Sequence, residues 1–207
     1  MASSSDDQAF SPALNGMAAT RAQRELTGCL EAAAAGELTS GHWLGGPREP
    51  RPADPIASYR VVIAVPDLYR ALEDGLSTWM VGMGPSGQLA GCSLPRDPGN
   101  PNGREAWLGA ATGRPHPSGM TVEYRTGGLG APNLDGTGPQ VYAMTLIGRC
   151  PPGIARVTAH YQGQEPQDAD VARGAWFSQF LRGGSTGPIT VCGYDSHGTP
   201  VARRVLD

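Results

Sequence analysis

The spacing of apolar residues predicts one amphipathic helix near the start of the chain and extended segments after it. From Met17 to Ala35, "MAATRAQRELTGCLEAAAA" sets Ala22, Leu26, Cys29, Leu30 and Ala33 three and four positions apart, on one helical face. Its Ala, Leu, Arg, Gln and Glu are strong helix formers, and Gly36 follows as a stop. Cys29 therefore points inward with the leucines.

Beyond the helix the period shortens to two. Residues 39–57 carry four prolines and three glycines and read as a surface loop. "YRVVIAV" predicts a strand, and "DLYRALEDG" after Pro66 a helical turn. "LSTWMVGM" and "QLAGCSL", separated by "GPSG", predict a hairpin with Cys92 in its second strand. The Pro-, Gly- and Asn-rich stretch 95–119 reads as a mobile excursion. "MTVEYR" and "QVYAMTLIGRC" are further strands, the second ending at Cys150.

After Cys150 come five short strand candidates: "GIARVTAHY", "DADVARG", "AWFSQFL", "ITVCGYD" and "TPVARRV". Gly163, Gly174, Gly184 and Gly198 mark turns between most of them. This rhythm predicts a small β-sandwich or barrel. The fold expected is α+β: an amino-terminal helix on an antiparallel β-sheet, followed by a small β-sandwich-like unit. The expected organisation is a disordered tail over 1–16, a helix-plus-sheet region over 17–147 and the sandwich-like unit over 148–207.

Composition sharpens this picture. Gly and Pro make up 49 of 207 residues, against 39% hydrophobic residues, which fits short ordered elements joined by long loops. All 16 basic residues are arginine. Without lysine, Schiff-base enzymes and P-loop nucleotide binders are excluded, because both need that amine. The net charge of -3, with arginines scattered, gives no basic stripe for nucleic acid. The opening "MASSSDDQAF" is acidic and polar, unlike a secretory signal, and no apolar run approaches the roughly 20 residues that cross a bilayer. Two readings follow: a cytoplasmic protein, or an exported one whose signal or anchor is absent from this chain.

The cysteines bear on that choice. Cys29, Cys92, Cys150 and Cys192 lie at least 42 positions apart, which suits neither the paired spacing of zinc sites nor a C-x-x-C redox motif. Of three possible connectivities, Cys29–Cys92 and Cys150–Cys192 would each staple one half of the chain. The alternative is four buried thiols packing as small hydrophobes. The disulfide reading points to an oxidising compartment.

Other motifs weigh less. Gly82, Gly84 and Gly87 match GxGxxG, but an extended "QLAGCSLP" follows where dinucleotide binding needs a helix, so a hairpin turn is expected. "GGSTG" matches the nucleophile elbow around Ser185, and Asp195 and His197 follow in hydrolase order. Pro188 starts a strand there, however, where an elbow enters a helix. His42, His116, His160 and His197 are isolated. Asp168 and Asp170 resemble a calcium loop lacking its glycine and glutamate. No catalytic, cofactor or metal residues are assigned. In "AWFSQF", Trp176 and Phe180 share one face and Phe177 takes the other; one set of rings is expected in the core, leaving Trp176 and Phe180 as a possible exposed binding patch.

The segments "GIARVTAHYQGQEPQDADVARGAWFSQFL" and "VCGYDSHGTPV", within residues 148–202, resemble the carboxy-terminal part of uncharacterised actinobacterial proteins with one amino-terminal membrane anchor and an extracytoplasmic domain. "RELTGCL" shows a fainter likeness. The resemblance implies an extracytoplasmic β-rich domain, held at a membrane only through an anchor this chain lacks. The function expected is non-catalytic binding of a protein or a cell-envelope component, without nucleic acid or cofactor. Alternatives are a hydrolase using Ser185 or a site in 95–119, and a cytoplasmic structural or particle-associated protein.

Overall fold

The computed structural model describes residues 18–35, 39–40, 52–66, 78–94, 105–109, 119–130, 141–161, 163–183 and 187–206. In chain order its elements are α1 (Ala19–Ala34), β1 (Thr39–Ser40), β2 (Arg60–Pro66), β3 (Thr78–Met83), β4 (Leu89–Leu94), β5 (Glu105–Leu108), β6 (Tyr124–Gly130), β7 (Val141–Arg149), β8 (Arg156–Tyr161), β9 (Gln167–Asp168), β10 (Asp170–Ala172), β11 (Ala175–Gly183), β12 (Ile189–Tyr194) and β13 (Pro200–Leu206). The expected tail over 1–16, the helical turn after Pro66, and His42, His116 and Ser185 lie outside the described residues.

The strands form three sheets, with orders β1-β5-β4-β3-β2, β10-β11-β7-β6 and β13-β12-β8-β9. All pairings are antiparallel except the two-residue β1–β5 contact. The molecule is thus α+β, as the sequence predicts.

Its layers follow from which residues cluster. Leu26, Cys29 and Leu30 of α1 pack with Ala64, Met80, Ala90 and Cys92 on one face of the first sheet. Burying a leucine fully contributes roughly 2 kcal/mol, so Leu26 and Leu30 anchor the helix. The opposite face of that sheet, with Val65, Trp79, Val81 and Trp107, packs on Tyr124, Ile147 and Phe177 of the second sheet. The far face of the second sheet, with Leu146 and Trp176, packs on Val157, Ala159, Tyr161, Ile189 and Val191 of the third. Helix and sheets therefore stack in four layers, with cores in the three gaps.

Sheets covered on both faces need near-continuous apolar runs rather than alternation. That is why "VVIAV" has no polar side. Val61 and Ala64 face α1, Val62, Ile63 and Val65 face the second sheet, and a bulge between Val61 and Ile63 shifts the phase. Glycines fit the same close packing: a Cβ at Gly148 would lie 2.7 Å from the Trp176 ring.

Some elements differ from expectation. "EAWL", inside the stretch read as a mobile excursion, is β5, and its Trp107 is only 2% exposed, stacked on Tyr124 at 5.0 Å. Thr39–Ser40 pairs with β5 where a loop was expected. "DADVARG" divides between two sheets: Asp168 pairs with β8, whereas Asp170 pairs with β11. A division at residue 148 follows no sheet boundary, because β11 pairs with β7 from Ala175↔Arg149 to Gly183↔Val141.

Candidate binding groove

The structure joins Cys29 to Cys92 in a disulfide, with Cα atoms 6.4 Å apart. Helical spacing turns Cys29 toward the sheet, and strand alternation turns Cys92 toward the helix. The expected Cys150–Cys192 bond is not formed; both are free thiols. The reason is also alternation. Ile189, Val191 and Gly193 face the second sheet, where Cys150 lies, so Cys192 points to the other face of β12, between Thr158 and Arg203 on the neighbouring strands. Burial pushes the Cys150 thiol up to about 11.

Trp176 is fully buried rather than part of an exposed patch. Its sheet is the middle of three, so both faces of β11 are covered, Trp176 on one and Phe177 on the other. The side chain of Phe180 lies outside the described residues. Gly84 and Gly87 occupy the β3–β4 hairpin turn, as predicted, with Met83 opposite Leu89. Asp195 closes the β12–β13 turn, its Oδ1 accepting from the backbone N–H of His197 (2.8 Å) and Thr199 (2.9 Å). Asp168 pairs with Arg156 at 2.6 Å on the surface. Among the described residues no cluster of three His, Cys, Asp or Glu could hold a metal, and no helix is long and apolar enough to cross a membrane.

The main buried polar network ties the first sheet to the second. Gln88 is fully buried; its Oε1 accepts from the Tyr59 hydroxyl and the Ala53 N–H (2.7 Å), and its Nε2 donates to Gly109 O at 2.9 Å. Beside it, Glu123 Oε1 accepts from Arg149 Nε and from Thr121 Oγ1 (3.1 Å), while Oε2 finds no partner. Desolvation raises the Glu123 pKa above the ordinary carboxyl value, against the opposing Arg149 charge. Burial likewise raises the Tyr59 phenol. This network has the character of a structural clasp: Gln88 is fully buried and the Glu123 carboxylate nearly so, and their bonds run between segments far apart in the chain.

An open groove of about 740 Å³ runs instead along the solvent side of α1. Gln23 sets the helix beside the outer edge of β2: its Nε2 donates to Tyr59 O at 2.7 Å, and its Oε1 accepts from Val61 N–H at 3.1 Å. Three arginines from separate elements line the groove. Arg24 lies on α1, Arg60 starts β2, and Arg173 sits in the β10–β11 turn; Glu31 is the single acid among the lining residues. Arg60 is held by Nη1 donating to Ala57 O at 2.8 Å. Arg24 meets Glu25 at 3.7 Å and stays largely exposed.

Two lining residues go against local preference. Gly28 stands mid-helix, where glycine costs about 0.5–1 kcal/mol relative to alanine, yet no described residue lies within 4 Å of where its Cβ would be. Among the described residues no packing contact demands the glycine; its effect is a bare stretch of groove lining. Arg173 has φ 51°, the one non-glycine with positive φ among the described residues. It and Gly174 (φ 76°) are the central pair of a two-residue hairpin between Ala172 and Ala175. Such turns favour Asn-Gly, and left-handed backbone costs most side chains roughly 1–2 kcal/mol. The mid-helix glycine and the Arg-Gly dipeptide are legible in the sequence, but only the fold brings them together.

No family model, curated protein or solved structure matches this chain.

Proposed function

We propose that this protein is a non-catalytic binding domain that works outside the cytoplasm and holds a protein or cell-envelope component in the α1 groove. The observation that carries the reading is the convergence of Gly28 and Arg173 on one open groove. Each disfavours its own local structure, and positions that go against local folding preference concentrate at functional surfaces. The buried Cys29–Cys92 bridge supports an oxidising compartment.

The reading is tested without any ligand. Gly28→Ala should stabilise the protein by about 0.5–1 kcal/mol, and Arg173→Asn, which suits the left-handed turn, by about 1 kcal/mol, measured by urea denaturation. Loss of stability in both variants would mean that the two residues serve the fold, and the groove would lose its claim. For the compartment, acid-quenched alkylation of cells should trap the chain with Cys29 and Cys92 oxidised; an all-thiol chain at steady state would return it to the cytoplasm.

A further inference from the structure

We propose that the groove takes an extended acidic peptide segment in which carboxylates are interspersed with apolar side chains. The inference rests on the binding reading above and names the ligand class. Its first support is charge. Three arginines line the groove against Glu31, with Glu25 beside Arg24, in a protein whose formal net charge is -3, so the groove keeps a positive balance on an acidic molecule. The amino-terminal end of α1 adds to this field: Ala18 gives no side-chain cap and the first turn has no acid, so no residue of the helix's own first turn offsets the positive end of its dipole.

Shape and polarity supply the rest. The lining runs from Ala19 to Glu31, about 18 Å along the helix axis and long enough for about five residues of extended chain. Ala19 and the aliphatic parts of the other lining side chains contribute apolar surface beside the guanidinium groups. A phosphate polymer matches the charges but offers nothing to that surface. A peptide alternating acidic and apolar residues satisfies both. Glu31 closes one end and repels carboxylates there, which places the ligand's acids toward Arg24 and the start of the helix.

The test uses the full chain and fluorescence anisotropy with a labelled peptide of about ten residues alternating Glu and Val, long enough to overfill the groove. A Lys/Val counterpart serves as control and soluble polyphosphate as competitor. The Glu/Val peptide should bind and the Lys/Val peptide should not, with affinity falling as salt is raised. Arg60→Glu together with Arg173→Glu should weaken binding by about tenfold or more, whereas Arg203→Glu on the third sheet leaves it unchanged. Gly28→Leu, which fills the bare stretch with no charge change, should weaken it comparably while the melting temperature is held or raised. Binding indifferent to these groove variants would overturn the site. Tighter binding of polyphosphate through the same arginines would overturn the peptide class. If Gly28→Ala and Arg173→Asn stabilise but no acidic peptide binds, the ligand class falls and the groove reading stands; if both destabilise, the groove reading itself falls.

Discussion

Reducing the Cys29–Cys92 bridge is the perturbation whose size the structure fixes best. The bond closes a loop with a sequence separation of 63. In the loop-entropy account, freeing such a loop in the unfolded chain costs the native state about 4 kcal/mol. Little else should offset or add to that figure. The two residues are 1% and 0% exposed in the helix–sheet core, so the thiols stay buried as small hydrophobes and leave no cavity. For a chain of this length each kcal/mol moves the melting temperature by roughly 2–4 °C, which gives a fall of roughly 8–16 °C. The assay is a thermal melt with and without reductant, paired with intact mass under denaturing, non-reducing conditions. The mass should lie below the all-thiol value by two hydrogens. A deficit of four would mean that Cys150 and Cys192 are also joined, against the strand alternation that separates them. A shift of only a degree or two would refute the loop-entropy reasoning.

The remaining thiols should behave unequally. Native alkylation with iodoacetamide, read by peptide mapping, should mark Cys192 well before the buried Cys150, whose pKa near 11 leaves little thiolate at neutral pH. Glu123 has a folded pKa above its ordinary value of 4.5, so the folded state holds its proton more tightly than the unfolded chain does. Its contribution to stability is therefore full below about 4.5 and is lost as the pH rises through the folded pKa. The stability of the wild type minus that of Glu123→Gln, from urea midpoints, should accordingly decline with rising pH; a rising difference would show that the Arg149 pairing outweighs burial. Gly91→Ala should cost about 1–3 kcal/mol, because the added methyl runs into the Trp107 indole, and an unchanged urea midpoint would contradict the packing between β4 and β5.

Legibility in the sequence followed the strength of local signals. The α1 face was readable because five residues repeat at helical spacing, and the β12–β13 hairpin because "DSHG" offers Gly198, observed at φ 81°, between two alternating runs. β5 was hidden because four residues flanked by Gly, Pro and Asn are too short to show a period; Trp107 was its single cue. The assignment of Trp176 and Phe180 to an exposed patch failed at Trp176 for another reason. A strand's own pattern tells that two faces differ, not whether a second sheet covers each of them. Groove residues were least visible: Arg24, Arg60 and Arg173 are far apart in the chain and resemble any surface arginine.

By itself, then, the sequence determined the α+β class, the inward side of the helix, the main hairpins and the exclusion of lysine-dependent chemistry, since these depend on residues a few positions apart. The Cys29–Cys92 bond was expected from the sequence and is formed, whereas tertiary structure alone decided the stacking of three sheets, the separation of Cys150 from Cys192, and the meeting of Gly28 with three arginines. Short-range periodicity assigns each side chain to a face. What that face meets depends on elements brought together from across the chain, and local spacing carries no record of them.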